Sequence, residues 1–277
     1  MEKKELTLEE IKSVELELLK KFRDVCQSNG FNYSLMGGTL LGAVRHGGFI
    51  PWDDDIDVIM PRPDYERFVE YCKTNDTDFK LISMQTDDGY AYMFAKIIDP
   101  NTELCEIVGN RTKLDLGVYI DIFMYDGMGN TEEEAKENFK KSKLSRELLI
   151  AYNWKKFSRS KTRSWYYEPI RFAMFLMSRV VNHKKLMKSI EKKYENFDFY
   201  SYEYVGNLCS DKREQSVIQR SVVDTYTTLK FEGEEFSVFT GYETYLKNMF
   251  GDYMQLPPED KRVTHHTFVA YKKDVNN

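Results

Sequence analysis

Four carboxylates, Asp53, Asp54, Asp55 and Asp57, fall within five positions and run directly into Ile56, Val58, Ile59 and Met60. Two like charges about 4 Å apart repel by roughly 4 kcal/mol at an effective dielectric near 20. A chain that drives such a cluster into an apolar strand needs a compensating cation. Hard carboxylate oxygens suit a divalent ion, Mg²⁺ or Mn²⁺. An acidic run in polar surroundings would read as a solvated loop, but this one leads into a strand. Alternate strand residues share a face. Asp55 and Asp57 are therefore expected to point together, ~7 Å apart, close enough to share one or two metal ions. Asp54 points the other way, and Asp53 joins the metal side only if the strand starts early. Asp121 lies inside LGVYIDIFM (116–124) with apolar neighbours. A buried lone Asp is costly unless paired, hydrogen-bonded or metal-bound. It is the natural third carboxylate, given by a neighbouring strand.

A phosphate site is expected beside these acids. Gly37-Gly38-Thr39 lies between a short strand (31–36) and a helix (39–46). Backbone N–H groups at a helix start, unobstructed at glycine, bind anions; a plain tight turn is the alternative. Arg45 either reaches a phosphate bidentately or pairs with an aspartate, and His46 reads as structural. Lys96, in AYMFAKII (91–98), shares a strand face with Phe94 and Tyr92. It serves either as a point charge for phosphate or as a surface lysine on an edge strand. His265 and His266 are adjacent, so an extended segment would point them opposite ways. One of them could enter a site, and His266 is kept as a candidate substrate contact with Thr39 and Asp53, although spacing alone does not single it out.

The elements that must position these groups follow from period and punctuation. Thr7 and Glu10 form a capping box before Leu8, Ile11, Val14, Leu18, Phe22 and Val25. That spacing predicts a packing helix over 7–29, stopped by Gly30. Pro61 and Pro63 end the acidic strand, and a helix follows over 64–71. Strands are expected at 79–84 and 91–98, with a turn at Asp126-Gly127. A charged helix spans about 130–152, opened by a second box at Thr131 and Glu134. Short strands and turns fill 203–240, and a helix over 242–249 stops at Gly251.

The chain has 277 residues, 42% of them hydrophobic, and a formal charge of −5. A core can be buried, and no nucleic-acid footprint exists. Cys26, Cys72, Cys105 and Cys209 are widely spaced and read as reduced thiols. The opening MEKKELTLEE lacks an apolar signal region, and no apolar run reaches the ~18 residues of a membrane span. A cytoplasmic protein is expected. Between Lys155 and Lys188 ten basic residues face one acid, Glu168, with interleaved aromatics. This stretch is either the solvated basic side of a helical hairpin or a surface for an anionic partner or inner membrane face. Its Trp/Tyr cluster is also a possible cage for a quaternary ammonium.

GTLLGAVRHGGFIPWDDDIDV (38–58) resembles the LicD family of phosphotransferases. FAKIIDPNT (94–102), VYIDIFMYDG (118–127) and YLKNMFGDYMQLPPEDKRVTHH (245–266) are similar too. The family belongs to the nucleotidyltransferase superfamily. Its Gly-Gly helix start, carboxylate–apolar–carboxylate strand and later third carboxylate match Gly37-Gly38, Asp55-Ile56-Asp57 and Asp121. The resemblance implies an α+β fold with a nucleotidyltransferase-like mixed sheet over 1–130. A largely helical extension over 131–277 would pack on it. It also implies Mg²⁺-assisted transfer of a phosphorylated alcohol, phosphocholine above all, from a CDP-linked donor such as CDP-choline. The acceptor would be a sugar hydroxyl of teichoic acid or lipopolysaccharide, with CMP released. In that scheme Asp55, Asp57 and Asp121 are catalytic and hold the metal. Relatives of the fukutin group move a phosphorylated polyol, so the motif does not name the donor. Two other functions stay open: transfer of a nucleotidyl group from an NTP with release of pyrophosphate, and non-catalytic nucleotide or membrane binding.

Overall fold

A computed structural model describes residues 4–106, 114–160, 164–210, 213–262 and 268–273. Helix α1 (Leu8–Asn29) begins at the expected capping box: the Glu10 amide donates to Thr7 Oγ1 (3.2 Å), and the Thr7 amide donates to Glu10 Oε2 (2.8 Å). Then come β1 (Ser34–Leu35), α2 (Gly37–His46), β2 (Asp57–Pro61), α3 (Arg62–Thr74), β3 (Lys80–Ile82), β4 (Ala95–Ile98), β5 (Thr102–Glu106) and β6 (Tyr119–Gly129). The second half adds helices α4 (Glu132–Lys140), α5 (Lys143–Asn153), α6 (Glu168–Val180) and α7 (His183–Tyr194). It also adds strands β7 (Tyr204–Gly206), β8 (Ile218–Gln219), β9 (Tyr226–Phe231) and β10 (Glu234–Phe239), helix α8 (Tyr242–Phe250) and β11 (Phe268–Lys272).

The result is an α+β fold around a mixed sheet. Its strands run β1-β2-β6-β4-β3, with β7 on the far end of β6 and β8 beside β7. The β2–β6 pairing is parallel and the rest of the sheet is antiparallel. Alternation buries Val58, Met60, Ile120 and Ile122 with Leu18, Leu19 and Phe22 of α1 and Phe68 of α3. Phe22 meets Phe68 edge to face, their centroids 5.2 Å apart. Each such side chain contributes roughly 1.5–3 kcal/mol on burial. A second core gathers Met128 at the end of β6 with Phe139, Leu149, Met187 and Ile190 of α4, α5 and α7. Strand β6 therefore serves both cores. Cys26, Cys72, Cys105 and Cys209 are all free thiols.

Several local expectations change. Asp126-Gly127 is no turn, because β6 continues to Gly129. An Asp-Gly pair favours a hairpin turn, but Arg62 and β7 override it here. Arg62 forms a fork on the buried Asp126, Nε to Oδ1 and Nη2 to Oδ2 (2.9 Å). Strand β7 carries on the ladder with a register shift between Gly127 and Gly129. The long helix over 130–152 breaks into α4 and α5. At the break the buried Ser142 hydroxyl bonds the Tyr194 hydroxyl (3.0 Å), which donates to the Asn138 carbonyl (2.7 Å). Residues 91–94 lie outside β4, and Asp55 lies outside β2.

Candidate active site

Asp57 is the first residue of β2, and three contacts hold it. Its amide donates to Thr39 Oγ1 (2.9 Å), its carbonyl accepts from the Met36 amide (3.1 Å), and the preceding Ile56 carbonyl accepts from the Asp121 amide (2.9 Å). The parallel register sets Asp57 directly beside Asp121, and neighbouring strands lie about 4.8 Å apart. The pairing that matters is thus lateral, between two strands. Asp55 joins from the loop before β2 instead of from two positions along it.

The glycines make room for these acids. Gly37 has φ +55, and a Cβ there would sit 3.3 Å from Asp57 Oδ2. A Cβ at Gly38 would fall 2.4 Å from Asp53 Oδ2, so the Asp53 carboxylate would have to move. Only glycine admits both the backbone angle and the approach. The Gly37 amide donates to the hydroxyl of Tyr245 (3.3 Å). Helix α8, more than two hundred residues downstream, thus reaches the turn expected to bind an anion.

Lys96 faces inward. It pairs with Asp121 across the β4–β6 ladder, its Nζ 2.5 Å from Asp121 Oδ1 and 3.5 Å from the centroid of the Tyr119 ring. The reading as a surface lysine is excluded, since Lys96 is buried. Arg45 turns away from the acids. It donates to the carbonyls of Tyr253 (3.0 Å) and Gln255 (3.5 Å) and to the His46 ring (3.0 Å). Burial and the nearby Arg262 lower its pKa. It pins the C-terminal loop and does not pair with an aspartate. His265 and His266 lie outside the described residues.

Asp53, Asp55, Asp57 and Asp121 are all raised. Burial, then Asp55 and Asp121, hold Asp57 well above the carboxylate range, while Lys96 pulls the other way. Asp121 is raised by burial against the pull of Lys96, and Asp53 is raised by burial. Asp55 is pushed up to about 8 by lost hydration and by Asp53, Asp121 and Asp54. Its side chain still opens to solvent, with Asp53, Asp121 and Asp54 as its charged neighbours.

Two groups on α1 were missed by reading it as a packing helix. Glu15 is 2% exposed, with Oε2 lacking a hydrogen-bond partner. Burial raises it, and Asp55, Asp54, Asp121 and Asp53 add to the rise. Lys12 is buried, donates to the Pro51 carbonyl (3.3 Å) and lowers Asp53. The signal was present: Glu15 sits four residues after Ile11 and three before Leu18, on the apolar stripe itself.

These hard oxygen donors, raised together with Lys96 and Lys12 as nearby cations, fit a divalent ion by chemistry. As placed, no three His, Cys, Asp or Glu side chains among the described residues are gathered to hold one. Lys96 takes up one oxygen of Asp121 instead. A cavity of about 400 Å³, lined by none of the clustered acids, opens among Tyr92, Phe94, Arg146, Glu147, Asn153 and Trp154 and other residues. Phe94 joins the two regions, its ring 5.2 Å from Lys96 Nζ. Of the aromatic cluster, Trp154 lines this cavity, while Trp165, Tyr166 and Tyr167 stand on the surface.

Residues 30–147 match the family described as LicD/FKTN/FKRP, nucleotidyltransferase domain. Over 97% of this chain, and 99% of the relative, the sequence is 33% identical to the lipopolysaccharide cholinephosphotransferase LicD of Haemophilus influenzae. A shorter likeness, 56% over 34 residues, covers 12% of this chain and 7% of the ribitol 5-phosphate transferase FKRP of Homo sapiens.

Proposed function

This chain belongs to the LicD family, and we propose that it transfers phosphocholine from a CDP-linked donor to a sugar hydroxyl of a cell-surface glycan, of lipopolysaccharide type. The observation that carries this reading is the lateral pair Asp57–Asp121, with Asp57 set against Gly37 of the Gly37-Gly38 turn. The name of the Haemophilus relative supports the choline head group.

The acceptor hydroxyl attacks the phosphorus distal to cytidine. The bond to the bridging oxygen breaks, CMP leaves with that oxygen, and the acceptor's proton passes to Asp121. Burial raises Asp121 against the pull of Lys96, so its ionised form is a stronger base than an ordinary carboxylate, and Lys96 fixes its orientation through Oδ1. The Gly38 amide and the ammonium of Lys96 bind diphosphate oxygens, and the Gly37 amide joins them where the phosphate displaces the Tyr245 hydroxyl it now holds. Asp55, Asp57 and Asp121 would hold Mg²⁺ or Mn²⁺. When bound, that ion neutralises diphosphate charge and acidifies the attacking hydroxyl. The head group is placed in the cavity past Phe94, among the rings of Tyr92, Phe94 and Trp154, where a quaternary ammonium would share Phe94 with Lys96 and Trp154 with Arg171.

The test is product analysis with CDP-choline, CDP-ethanolamine, CDP-ribitol, CDP-glycerol and CTP. CMP from CDP-choline is expected. Asp57→Asn and Asp121→Asn should each lower the rate by about 10²-fold or more, and Trp154→Ala should weaken CDP-choline more than CDP-ethanolamine. Full activity of the double Asp variant would reject the reading. Pyrophosphate from CTP would move the protein to nucleotidyl transfer.

A further inference from the structure

A helix on a protein surface normally turns its charges to water and its apolar stripe inward. Helix α6 does the reverse. Its two arginines face the protein. Arg171 Nη1 donates to both carboxylate oxygens of Glu168 (2.9 and 2.8 Å), and the guanidinium lies 4.8 Å over the Trp154 ring. Arg179 donates to the carbonyls of Ala151 (2.8 Å) and Trp154 (2.6 Å) and lies over Phe175. The outward side carries Ile170, Phe172, Leu176, Met177 and Val180, with Ile170 62% and Val180 87% exposed. The turn before the helix adds Trp165, 82% exposed, with Tyr166 and Tyr167. A continuous apolar face of this kind marks an interaction surface.

The charge around it selects the partner. Residues 155–188 carry ten basic side chains, eight besides the inward Arg171 and Arg179, and one acid, Glu168, paired with Arg171; the stretch is +9 in a chain of net −5, so the remainder carries −14. Exposed Lys155, Lys156 and Arg159 lie on the loop whose Phe157 packs against Phe172 and Phe175. Exposed Lys184 and Lys185 stand just past the other end of α6, Lys184 also meeting Asp88. A two-fold pairing of this face with a second copy would set cations against cations. An anionic lipid surface complements both the apolar centre and the basic rim. Exposed Trp and Tyr suit the headgroup level. At 13 residues α6 is too short to span, and no helix among the described residues is long and apolar enough to cross a membrane.

We propose that the outward face of α6, with the Trp165–Tyr167 turn, is a docking surface that seats the protein on an anionic bilayer. The proposal does not depend on the reaction catalysed. The test is flotation of the full chain with vesicles of phosphatidylcholine alone or mixed with phosphatidylglycerol, while tryptophan emission is recorded. Binding to the mixed vesicles is expected, with a blue shift that Trp165→Phe removes. It should weaken as salt rises from about 0.1 to 1 M, where the screening length falls from about 10 to 3 Å. The Ile170→Glu/Leu176→Glu variant should lose binding by at least about tenfold at an unchanged thermal midpoint. Lys155→Glu/Lys156→Glu leaves the apolar face intact and should remove much of the salt-sensitive part; it decides the matter should the first variant fold poorly. Absent binding, equal binding to neutral vesicles at every salt, or wild-type binding by the variants overturns the proposal. So does light scattering showing a wild-type dimer that Ile170→Glu/Leu176→Glu dissolves.

Discussion

Glu15 is a carboxyl held in the core beside other carboxyls, and its fold-dependent pKa has a definite sign. Burial and the neighbouring acids raise it from 4.5. The folded state therefore disfavours its ionised form. Below the pH where the unfolded carboxyl titrates, near that ordinary value, no stability is lost. The loss grows as pH rises through that value and is complete above the folded one. In metal-free protein, Glu15→Gln should thus raise the thermal midpoint at about pH 8 and leave it nearly unchanged at about pH 4. Each kcal/mol gained is roughly 2–4 °C in a chain of this size. A lower midpoint at the higher pH would mean that a cation holds the ionised form. Gly38 makes a second prediction. Its missing Cβ gives Asp53 Oδ2 its place, so Gly38→Ala should cost about 1–3 kcal/mol through overpacking. Adding Asp53→Ala should return most of it, which a denaturation cycle measures. Simple additivity of the two changes would refute the contact.

Strand β6 and helix α3 meet at one ion pair. Arg62, at the first turn of α3, forks onto Asp126, which is fully buried in β6. Removing one partner of a buried pair leaves the other uncompensated and costs about 3–5 kcal/mol. Arg62→Leu should show that loss in urea unfolding, while Arg62→Leu with Asp126→Leu should lose less. Equal losses would show that packing, not charge, holds the junction. The pair also explains why Asp126-Gly127 escapes its local preference for a turn: the counter-charge comes from a residue 64 positions earlier. The α4–α5 break has the same character. Thr131 caps the helix, the Glu134 amide donating to Thr131 Oγ1 (3.2 Å), but the expected box closes one residue early, the Glu134 carboxylate accepting from the Asn130 amide (2.8 Å). What interrupts it is the hydroxyl of Tyr194, which belongs to α7.

The whole chain folds around a strand with two clients. The front of β6 lies between β2 and β4, and its end packs with α4, α5 and α7. Loosening the second core should therefore be felt at the first. Unfolding followed through Trp52, near α2, and through Trp154, at the end of α5, should give coincident transitions. Phe139→Ala should move both midpoints together, at a cost of about 3–5 kcal/mol. Separate transitions would show two independently folding units.

Local chemistry was legible wherever neighbours in sequence are neighbours in space. The Thr7–Glu10 box, the acidic approach to β2, the Gly37-Gly38 turn and the apolar setting of Asp121 all declare themselves through spacing of a few residues. The partners of those groups did not. Asp57 and Asp121 are joined by strand register, Lys96 by its place opposite Asp121 in β4. Tyr245 reaches Gly37 from 208 residues away. Arg45, readable as a phosphate ligand, goes to loop carbonyls at Tyr253 and Gln255. The reason is physical: periodicity reports which face a side chain takes, whereas the identity of its neighbour is set by sheet order and by helices that return from distant parts of the chain.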